Sequence, residues 1–362
     1  MRILFTCGRE VEYPRNAVLR ACLERNFEVF TIAGSRSSTI TRYSQLATRL
    51  LFSLNKYDLI FVGFLGQPLV PLVWMRYRKN IIFDAFLSVY DTLCFDRRYF
   101  SPKSFAGRLA FLLDYISCRL SNVVILDTKA HMEYFHREFQ VPYEKLRTIP
   151  VGCDENLFYP RSFADDTNSE NTFTILFYGS FLPLQGIDVI IRAARILESD
   201  PRISFRIIGN GIEYARIRKL ADRINVRNVQ FHPPVALNEL PAEIARATVC
   251  LGGHFGTVDK ARRVIASKTF QCIAMGKATI VGDNEANHEL LTHTYDSWFC
   301  KMGDPESLAE SILTLVYNPE LRLYLGQNAY KTFTEKASIS VLSKQIRTIV
   351  EEDYHIEQKE KS

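Results

Sequence analysis

The sequence lacks the short motifs that identify several large classes of enzyme. No two aspartates stand two residues apart, so the D-x-D metal-binding pattern is absent. The phosphate-binding pattern G-x-x-x-x-G-K-[ST] and the nucleophile pattern G-x-S-x-G are also absent. The seven histidines form no metal-ligand spacing with cysteine or with each other. The sequence therefore predicts a protein without a bound metal and without a resident cofactor.

Long hydrophobic runs and paired cysteines are missing as well. No stretch reaches the ~18 uninterrupted apolar residues of a membrane-spanning helix, and the nearest, residues 59–75, is broken by glycines and prolines. The apolar run at the start of the chain is too short for a signal peptide and predicts a first strand instead. The eight cysteines include no C-x-x-C pair, which indicates reduced core thiols. These features predict a cytoplasmic protein.

Positive charge is concentrated in the first part of the chain. Residues 1–150 hold 21 Lys and Arg against 13 Asp and Glu. Such an excess suits an anionic partner, and an ordinary solvated surface explains it equally well. Residues 42–54 combine leucines at helical spacing with Arg42, Arg49 and the nearby Lys56, so this helix either packs on a sheet or lies on an anionic membrane. No RNA- or DNA-binding motif accompanies the charge, so we expect no nucleic acid partner.

Short apolar segments alternate with helical patterns along both halves of the chain. The first half predicts strands at 2–8, 27–34, 57–64, 79–86 and 123–128. The second half predicts strands at 173–179, 203–209, 229–233, 248–253, 278–282 and 298–300. Strands that alternate with helices are typical of parallel α/β sheets. With 362 residues, 47% of them hydrophobic, the chain most simply forms two such domains.

The most informative stretch is residues 262–290, which predicts a short helix, a buried strand and a second helix. Ser267 is the expected N-cap of the first helix. Lys268 and Gln271 lie three positions apart, so their side chains project together from the first turn. A cation and an amide at a helix N-terminus favour an anionic ligand. The strand that follows ends in the polar loop 283–285, which is where open α/β sheets bind ligands.

The pattern S-K-x-F-x-x-x-A-M-G-K, followed by I-V-G-D-N-E-A, resembles the nucleotide-sugar segment of glycosyltransferase family 4, whose members are retaining transferases with the GT-B fold. Residues 149–154, with Phe158 and Pro160, are similar to the pattern that ends the family's first domain. The resemblance implies an α/β protein with two Rossmann-like domains whose parallel sheets face each other across a cleft. It also implies transfer of a sugar from a nucleotide diphosphate sugar to an acceptor hydroxyl, with retention of configuration and without a required metal.

The resemblance and the composition together give the predicted domain bounds. Residues 1–160 are expected to form an acceptor-side domain, and residues 173–337 a nucleotide-sugar domain. The polar stretch 161–172 is the expected linker. Residues 338–356 are amphipathic. The last helix of the family crosses back onto the first domain, and we expect this segment to do the same.

The resemblance also implies which residues bind the donor. The family carries a ribose-binding glutamate at the position of Gln271 and an acidic sugar contact at the position of Arg263. Its basic contacts to the diphosphate fall at Ser180 and Gln185 of this chain, so we expect the basic residues around Lys268 to replace that charge. The predicted donor-binding residues are Gly179, Gly209, Gly211, Gly256, Arg262, Arg263, Lys268, Gln271, Asp283 and Asn284. A plain tight turn explains the two glycines at 209 and 211 equally well, and a solvated face is the alternative for the basic run.

Acceptor-side residues are predicted in the first domain. Asp84 stands near the end of a strand, and a polar loop with Asp91 follows at residues 88–98. Carboxylates after strand ends suit hydroxyl recognition or base catalysis, although loop polarity alone produces such clusters. We predict Asp84, Asp91 and Lys268 as catalytic residues. The expected acceptor is a glycan or a lipid-linked glycan, the latter through peripheral contact with the inner face of an anionic membrane.

Three other functions stay open at this stage. A nucleotide-sugar epimerase shares the fold, but its paired carboxylates and histidine have no assigned counterpart in this sequence. A non-catalytic subunit that partners an active transferase fits the replacement of two acids by Arg263 and Gln271. A nucleic-acid-binding protein is supported only by the charge of the first half.

Overall fold

Residues 1–34, 38–161 and 172–360 are described by a computed structural model of the protein. The chain divides into two compact units, of which the first is Met1–Asp154 with Ser338–Ser362 and the second is Glu155–Ala337. The linker predicted at 161–172 lies, except for its two end residues, outside the described residues.

The first unit contains a six-stranded sheet in which neighbouring strands run parallel, in the order β2-β1-β3-β4-β5-β6. Its strands are β1 (Arg2–Cys7), β2 (Glu28–Ala33), β3 (Leu59–Gly63), β4 (Ile81–Asp84), β5 (Val123–Leu126) and β6 (Leu146–Thr148). Strands β3, β4 and β5 are buried along their whole length, as expected for parallel strands that are covered on both faces. The apolar runs therefore predicted the first five strands correctly.

Helices cover both faces of this sheet. They are α1 (Pro14–Glu24), α2 (Thr39–Phe52), α3 (Leu69–Tyr77), α4 (Val89–Asp91), α5 (Phe105–Leu120), α6 (Lys129–Phe139) and, from the end of the chain, α15 (Ile339–Glu360). Buried residues of α2, α3, α5 and α6 pack on one face, and those of α1 and α15 on the other. Asn26, just after α1, donates a hydrogen bond from Nδ2 to Oγ of Ser343 in α15 at 2.7 Å. The last helix is thus part of the first unit.

Residues 88–98 were predicted as a loop, and that prediction is wrong. Helix α4 continues directly into a wide helical turn at Thr92–Asp96. Asp114 of α5 stabilises the start of this segment, because its carboxylate accepts hydrogen bonds from the backbone N–H groups of Val89 and Tyr90 and from Oγ of Ser88. Burial raises the pKa of Asp114 to about 6. The helical start thus depends on a partner some 25 residues away, which local sequence does not reveal.

The leucine stripe predicted for residues 42–54 is partly buried. Leu46 and Leu50 are fully buried against the sheet, which confirms the packing alternative. The helix ends at Phe52, so Leu54 lies beyond it and is exposed.

The second unit contains another six-stranded sheet of parallel neighbours, in the order β12-β11-β10-β7-β8-β9. Its strands are β7 (Phe173–Tyr178), β8 (Ile203–Ile208), β9 (Val229–His232), β10 (Val249–Leu251), β11 (Thr279–Gly282) and β12 (Trp298–Cys300). Its helices are α7 (Ile187–Ile196), α8 (Tyr214–Arg223), α9 (Leu240–Arg246), α10 (Lys260–Arg263), α11 (Ser267–Ala274), α12 (Glu285–Leu290), α13 (Pro305–Val316) and α14 (Pro319–Lys336). The strand order reverses between β7 and β10, and such a reversal is where open α/β sheets bind ligands.

The two parallel sheets confirm the predicted α/β architecture. Within the described ranges, no helix is both long enough and apolar enough to cross a membrane.

A buried ion pair joins three segments of the first unit. Arg15 of α1 donates from Nη2 to Oδ1 of Asp84 at 2.8 Å and from Nε to both carboxylate oxygens at 3.2 Å. Its Nη1 donates to the carbonyl oxygens of Ile149 and Pro150 at 2.9 and 2.7 Å. Neither side chain of the pair has any exposed surface. Arg15 is therefore not solvated, because its guanidinium satisfies a buried carboxylate and two carbonyls.

Removal of this arginine should destabilise the fold strongly. In Arg15→Ala the carboxylate of Asp84 stays buried without its cation, and we expect the free energy of unfolding to fall by about 3–5 kcal/mol. Urea denaturation followed by circular dichroism measures the change. Arg347→Ala is the control, because it removes only an exposed pair with Glu351 in the same unit and should cost less than about 0.5 kcal/mol. Equal losses in the two variants would contradict the structural role given to Arg15.

Candidate functional site

The loops that follow β7 and β10 pack against each other where the strand order reverses. The N–H of Phe255 donates to the carbonyl of Gln185 at 3.3 Å, and the N–H of Gly256 to that of Leu184 at 3.2 Å. Gly186 has a φ of 65°, and a Cβ on it would lie 2.3 Å from the nitrogen of Gly256. Only glycine permits this backbone contact. The two backbone hydrogen bonds and the close approach at Gly186 therefore hold the two loops together at the switch point.

The side-chain nitrogen of Lys268 lies between these loops. It donates to Oε1 of Gln185 and lies 4.2 Å from the centroid of the Phe177 ring. A Cβ on Gly179 would lie 3.6 Å from this nitrogen, and a Cβ on Gly253 would lie 3.7 Å from it. The two glycines thus flank the amine at the carboxyl ends of β7 and β10. Helix α11 thus places its one basic side chain, that of Lys268, at the switch point.

Burial disfavours the charged form of this amine. Lys268 is 5% exposed, and no carboxylate of the described residues pairs with it. Loss of solvation lowers its pKa to about 7. An anion bound beside Nζ would favour the ammonium form, because it replaces the missing counter-charge. The site is therefore prepared for a negatively charged ligand.

His254 adds a neutral polar group to the same loop. Burial, followed by the charges of Lys268 and Lys260, lowers the pKa of His254 well below its ordinary value, so its imidazole is neutral near pH 7. Its Nδ1 is buried and has no hydrogen-bond partner among the described residues.

Gln271 is held by the last residue of β7. The hydroxyl of Tyr178 donates to Oε1 of Gln271 at 2.8 Å and also lies 3.4 Å from the carbonyl oxygen of Lys268. Lys268 and Gln271 both project toward β7, as their spacing predicted. Ser267 is not the N-cap of α11, because Ala266 occupies that position and no side chain caps the helix.

Three of the predicted glycines serve packing. A Cβ on Gly209 would lie 2.0 Å from the carbonyl oxygen of Gly179, and one on Gly211 would lie 2.6 Å from backbone atoms of Phe181. A Cβ on Gly256 would lie 2.3 Å from the carbonyl oxygen of Pro183. Each of these glycines allows another segment to approach the loop after β7. Gly179 differs, because among the described residues, apart from its own chain neighbours, only Lys268 has atoms within 4 Å of its Cβ position.

The remaining residues predicted to bind the donor lie on α10 and at the start of α12. Arg263 is buried and forms an ion pair with Asp259, one turn earlier, whereas Arg262 is exposed on α10. Asn284 is the N-cap of α12 and also donates from Nδ2 to the carbonyl of Ala261 at 3.2 Å. The exposed Asp283 pairs with His288 at 2.7 Å. Asn284 therefore fixes the start of α12.

The two carboxylates predicted for the acceptor side are both buried in the first unit. Asp84 is in the ion pair with Arg15, and burial raises its pKa while Arg15 opposes the rise. Asp91 ends α4 and is 2% exposed. Neither presents an exposed carboxylate, and Asp84 has a structural role through its pair with Arg15.

Sequence reasoning missed several residues of the site. Gln185 was interpreted only as a lost basic contact, yet it receives the hydrogen bond of Lys268. Phe177, Tyr178 and Gly253 were not selected, although they stand at the ends of the two strands that meet at the switch point. The order of strands was the missing information. No group of three or more His, Cys, Asp or Glu residues in the described part of the chain is arranged to hold a metal ion.

Comparison with known families adds an independent finding. Residues 160–332, which contain this site, match the family model for glycosyl transferases group 1. This part of the chain is thus similar to members of that family. The match begins within the segment predicted to end the first domain and covers every strand of the second unit.

Two relatives that match larger parts of the chain are also glycosyltransferases by name. An uncharacterised glycosyltransferase of Methanocaldococcus jannaschii is 25% identical over 243 residues, which are 64% of this chain and 66% of the relative. A second one from the same organism is 23% identical over 320 residues, which are 84% of this chain and 78% of the relative.

A solved structure shares the fold over almost the entire chain. Anabaena HepE, crystallised in complex with UDP, superimposes with a TM-score of 0.75 at 16% identity, over 97% of this chain and all of HepE. The likeness confirms the predicted GT-B fold. HepE has also been crystallised with UDP-glucose.

The buried amine should reduce stability in a pH-dependent way. Lys268 has a pKa of about 7 in the folded protein and about 10.4 in an unfolded chain. The folded protein thus binds fewer protons than the unfolded one between these values, so the stability due to this site rises with pH from about 7 to about 10. Lys268→Met removes the penalty, and should stabilise the protein by about 1–4 kcal/mol at pH 7 and by little near pH 10. Thermal unfolding of both proteins across this range measures the difference.

Lys219→Met is the matched control for this experiment. Lys219 is an exposed lysine of α8 in the same unit, and its replacement should leave the pH dependence of the wild type unchanged. A gain in Lys268→Met that is the same at pH 7 and pH 10 would contradict the lowered pKa.

Proposed function

We propose that this protein transfers a sugar from a nucleoside diphosphate sugar to the hydroxyl group of an acceptor. The observation that supports the proposal most is the buried amine of Lys268, flanked by Gly179 and Gly253 at the switch point of the second unit. A buried cation between two glycine loops suits a diphosphate, because residues without a Cβ let a ligand approach the amine and the backbone closely. Similarity to the group 1 family favours a sugar nucleotide as the source of that diphosphate.

The proposed chemistry depends on charge that develops in the donor. The acceptor oxygen forms a bond to the anomeric carbon while the bond from that carbon to the diphosphate breaks. Negative charge then grows on the leaving phosphate, and a preorganised cation in a dry site stabilises it better than water does. Lys268, with a pKa of about 7, can also hold a proton for that oxygen. The hydroxyl proton of the acceptor leaves to a base that we do not assign.

Gln271 is proposed to contact the ribose. Its Oε1 already accepts a hydrogen bond from Tyr178, so its Nε2 group remains as the donor. A ribose hydroxyl can accept this bond, whereas a glutamate at the same position would accept a bond from the ribose. A neutral amide forms a weaker bond than a carboxylate, so we expect the base and the diphosphate to contribute most of the affinity.

We assign the main diphosphate contact to Lys268 and a secondary one to the α10 arginines. Asp259 neutralises part of the charge of Arg263, and Arg262 is solvated, so each should contribute less than a buried cation. Retention of configuration, independence of metal ions and the absence of a resident cofactor belong to the proposal through the resemblance to glycosyltransferase family 4. A uracil base is our first candidate, because HepE was crystallised with UDP and with UDP-glucose.

A non-catalytic subunit is the second candidate function. The feature that favours it is the pair Arg263 and Gln271, which replace the two acidic residues of the resembled motif. Such a subunit would bind a nucleotide or a partner without transferring sugar. Donor binding and sugar transfer must therefore be measured separately.

A thermal-shift series with UDP, GDP, ADP and their glucose conjugates tests donor binding. A ligand at about 100 times its dissociation constant should stabilise the protein by about 2.7 kcal/mol. We expect one base to give this shift, and Lys268→Met to lose it while Lys219→Met keeps it. The identified sugar nucleotide is then used in a transfer assay, with NMR of the anomeric proton of the product.

Each outcome bears on one part of the proposal. Transfer with retained configuration supports the full proposal. Nucleotide binding without transfer to any hydroxyl acceptor supports the non-catalytic subunit instead. Absence of a shift with every nucleotide would contradict the donor site itself.

A further inference from the structure

The first half of α5 exposes a stripe of large apolar side chains. Phe105 is 84% exposed, Leu109 55% and Leu112 47%, and their spacing places them on one face of the helix. The opposite face includes the buried Ala110 and Asp114 and packs on the sheet. Single exposed apolar residues are ordinary on protein surfaces, but a contiguous apolar patch marks an interaction site.

The segment before α5 extends this stripe. Phe95 and Phe100 are also exposed. The ring of Tyr90 contacts Phe95 at 5.4 Å and Phe111 of α5 at 5.3 Å, measured between centroids. A Cβ on Gly107 of α5 would lie 2.3 Å from a backbone oxygen of residue 101, so the segment lies directly against the helix. We call the exposed side chains of residues 95–112 the aromatic–basic surface.

Four cations are interspersed with these apolar side chains. Arg97, Arg98, Lys103 and Arg108 are exposed, and none forms an ion pair or a side-chain hydrogen bond with another described residue. The only acid between 95 and 112 is Asp96, which is 4% exposed. The surface therefore presents positive charge without exposed negative charge of its own. A basic apolar helical face has the properties of a segment that lies in a membrane interface.

We propose that the aromatic–basic surface docks the first unit on an anionic lipid bilayer. Phenylalanine and leucine side chains would enter the boundary between headgroups and acyl chains, and the four cations would contact anionic headgroups. A second copy of the chain is a poor occupant, because an isologous contact would bring four cations against four cations. The proposal rests on the proposed function only in suggesting a lipid-linked acceptor; docking itself depends on this surface alone.

Vesicle sedimentation tests the proposal directly. The wild type should bind vesicles of phosphatidylcholine with about one third phosphatidylglycerol, and should bind pure phosphatidylcholine more weakly, because the cations need anionic lipid. Replacement of the apolar stripe in Phe105→Ser with Leu109→Ser should weaken binding at least tenfold. Arg97→Gln with Arg108→Gln should also weaken it about tenfold or more, since each basic residue contributes a few-fold. Added salt should weaken the remaining electrostatic attraction.

Matched controls distinguish binding through this surface from non-specific binding of the protein to vesicles. Leu323→Ser and Arg192→Gln remove an exposed apolar residue and an exposed cation from the second unit, and both should bind vesicles like the wild type. Unchanged binding of the Phe105 and Leu109 variant would overturn the proposal. So would loss of binding in Phe52→Ser with Leu54→Ser alone, which would place the contact at the end of α2.

The same preparations are measured for the nucleotide-induced thermal shift. Variants of the aromatic–basic surface should keep that shift, which shows that they are folded and that the donor site is intact. A wild type that binds vesicles but shows no nucleotide shift would contradict the proposed function and leave docking supported. A wild type that binds no vesicles, and whose dimerisation is abolished by the Phe105 and Leu109 variant, would overturn docking in favour of a second copy.

Discussion

The donor-side account depends on one buried cation whose solvation is lost and whose charge is not compensated by a carboxylate. Lys268 extends from α11 to the switch point of the second sheet, where Gly179 and Gly253 flank its nitrogen and Gln185 accepts its hydrogen bond. A neutral amide orients the amine without neutralising it, so the affinity for an anion is retained. A carboxylate at the same place would stabilise the folded protein and would compete with the ligand. Under the proposed function, the site therefore gives up stability in exchange for affinity for the donor.

The first unit uses its buried charges differently. Asp84 and Arg15 satisfy each other, and Arg15 also bonds two carbonyls after β6, so this ion pair fixes the strand ends around it. Asp127 and His131 form another buried pair at the end of β5, at 2.8 Å. These groups shape the carboxyl edge of the first sheet. A carboxylate at a strand end can thus hold the edge of a sheet together, as Asp84 does in its pair with Arg15.

The sequence was sufficient to predict the strands and the common direction of Lys268 and Gln271. It was insufficient where residues distant in the sequence determine the local structure. Apolar runs predicted the strands because parallel strands are covered on both faces. Lys268 and Gln271 project in the same direction, as predicted, because their spacing puts them on one side of a helix turn. The helical segment after Ser88 was missed because Asp114, on another helix, stabilises it. The contact of Gln185 with Lys268 was not predicted, because only the order β10-β7 brings its loop to Lys268, and strand order is not encoded in any local pattern.

The measurement that tests the central claim most directly is an NMR titration of the Lys268 side chain in the free protein and with bound UDP. The signal is assigned by its absence in Lys268→Met. The account predicts a pKa of about 7 without ligand and a clearly higher pKa with UDP, because the diphosphate supplies the missing counter-charge. A free-state pKa near the ordinary ~10.4 of lysine, or a pKa that UDP leaves unchanged, would contradict the account.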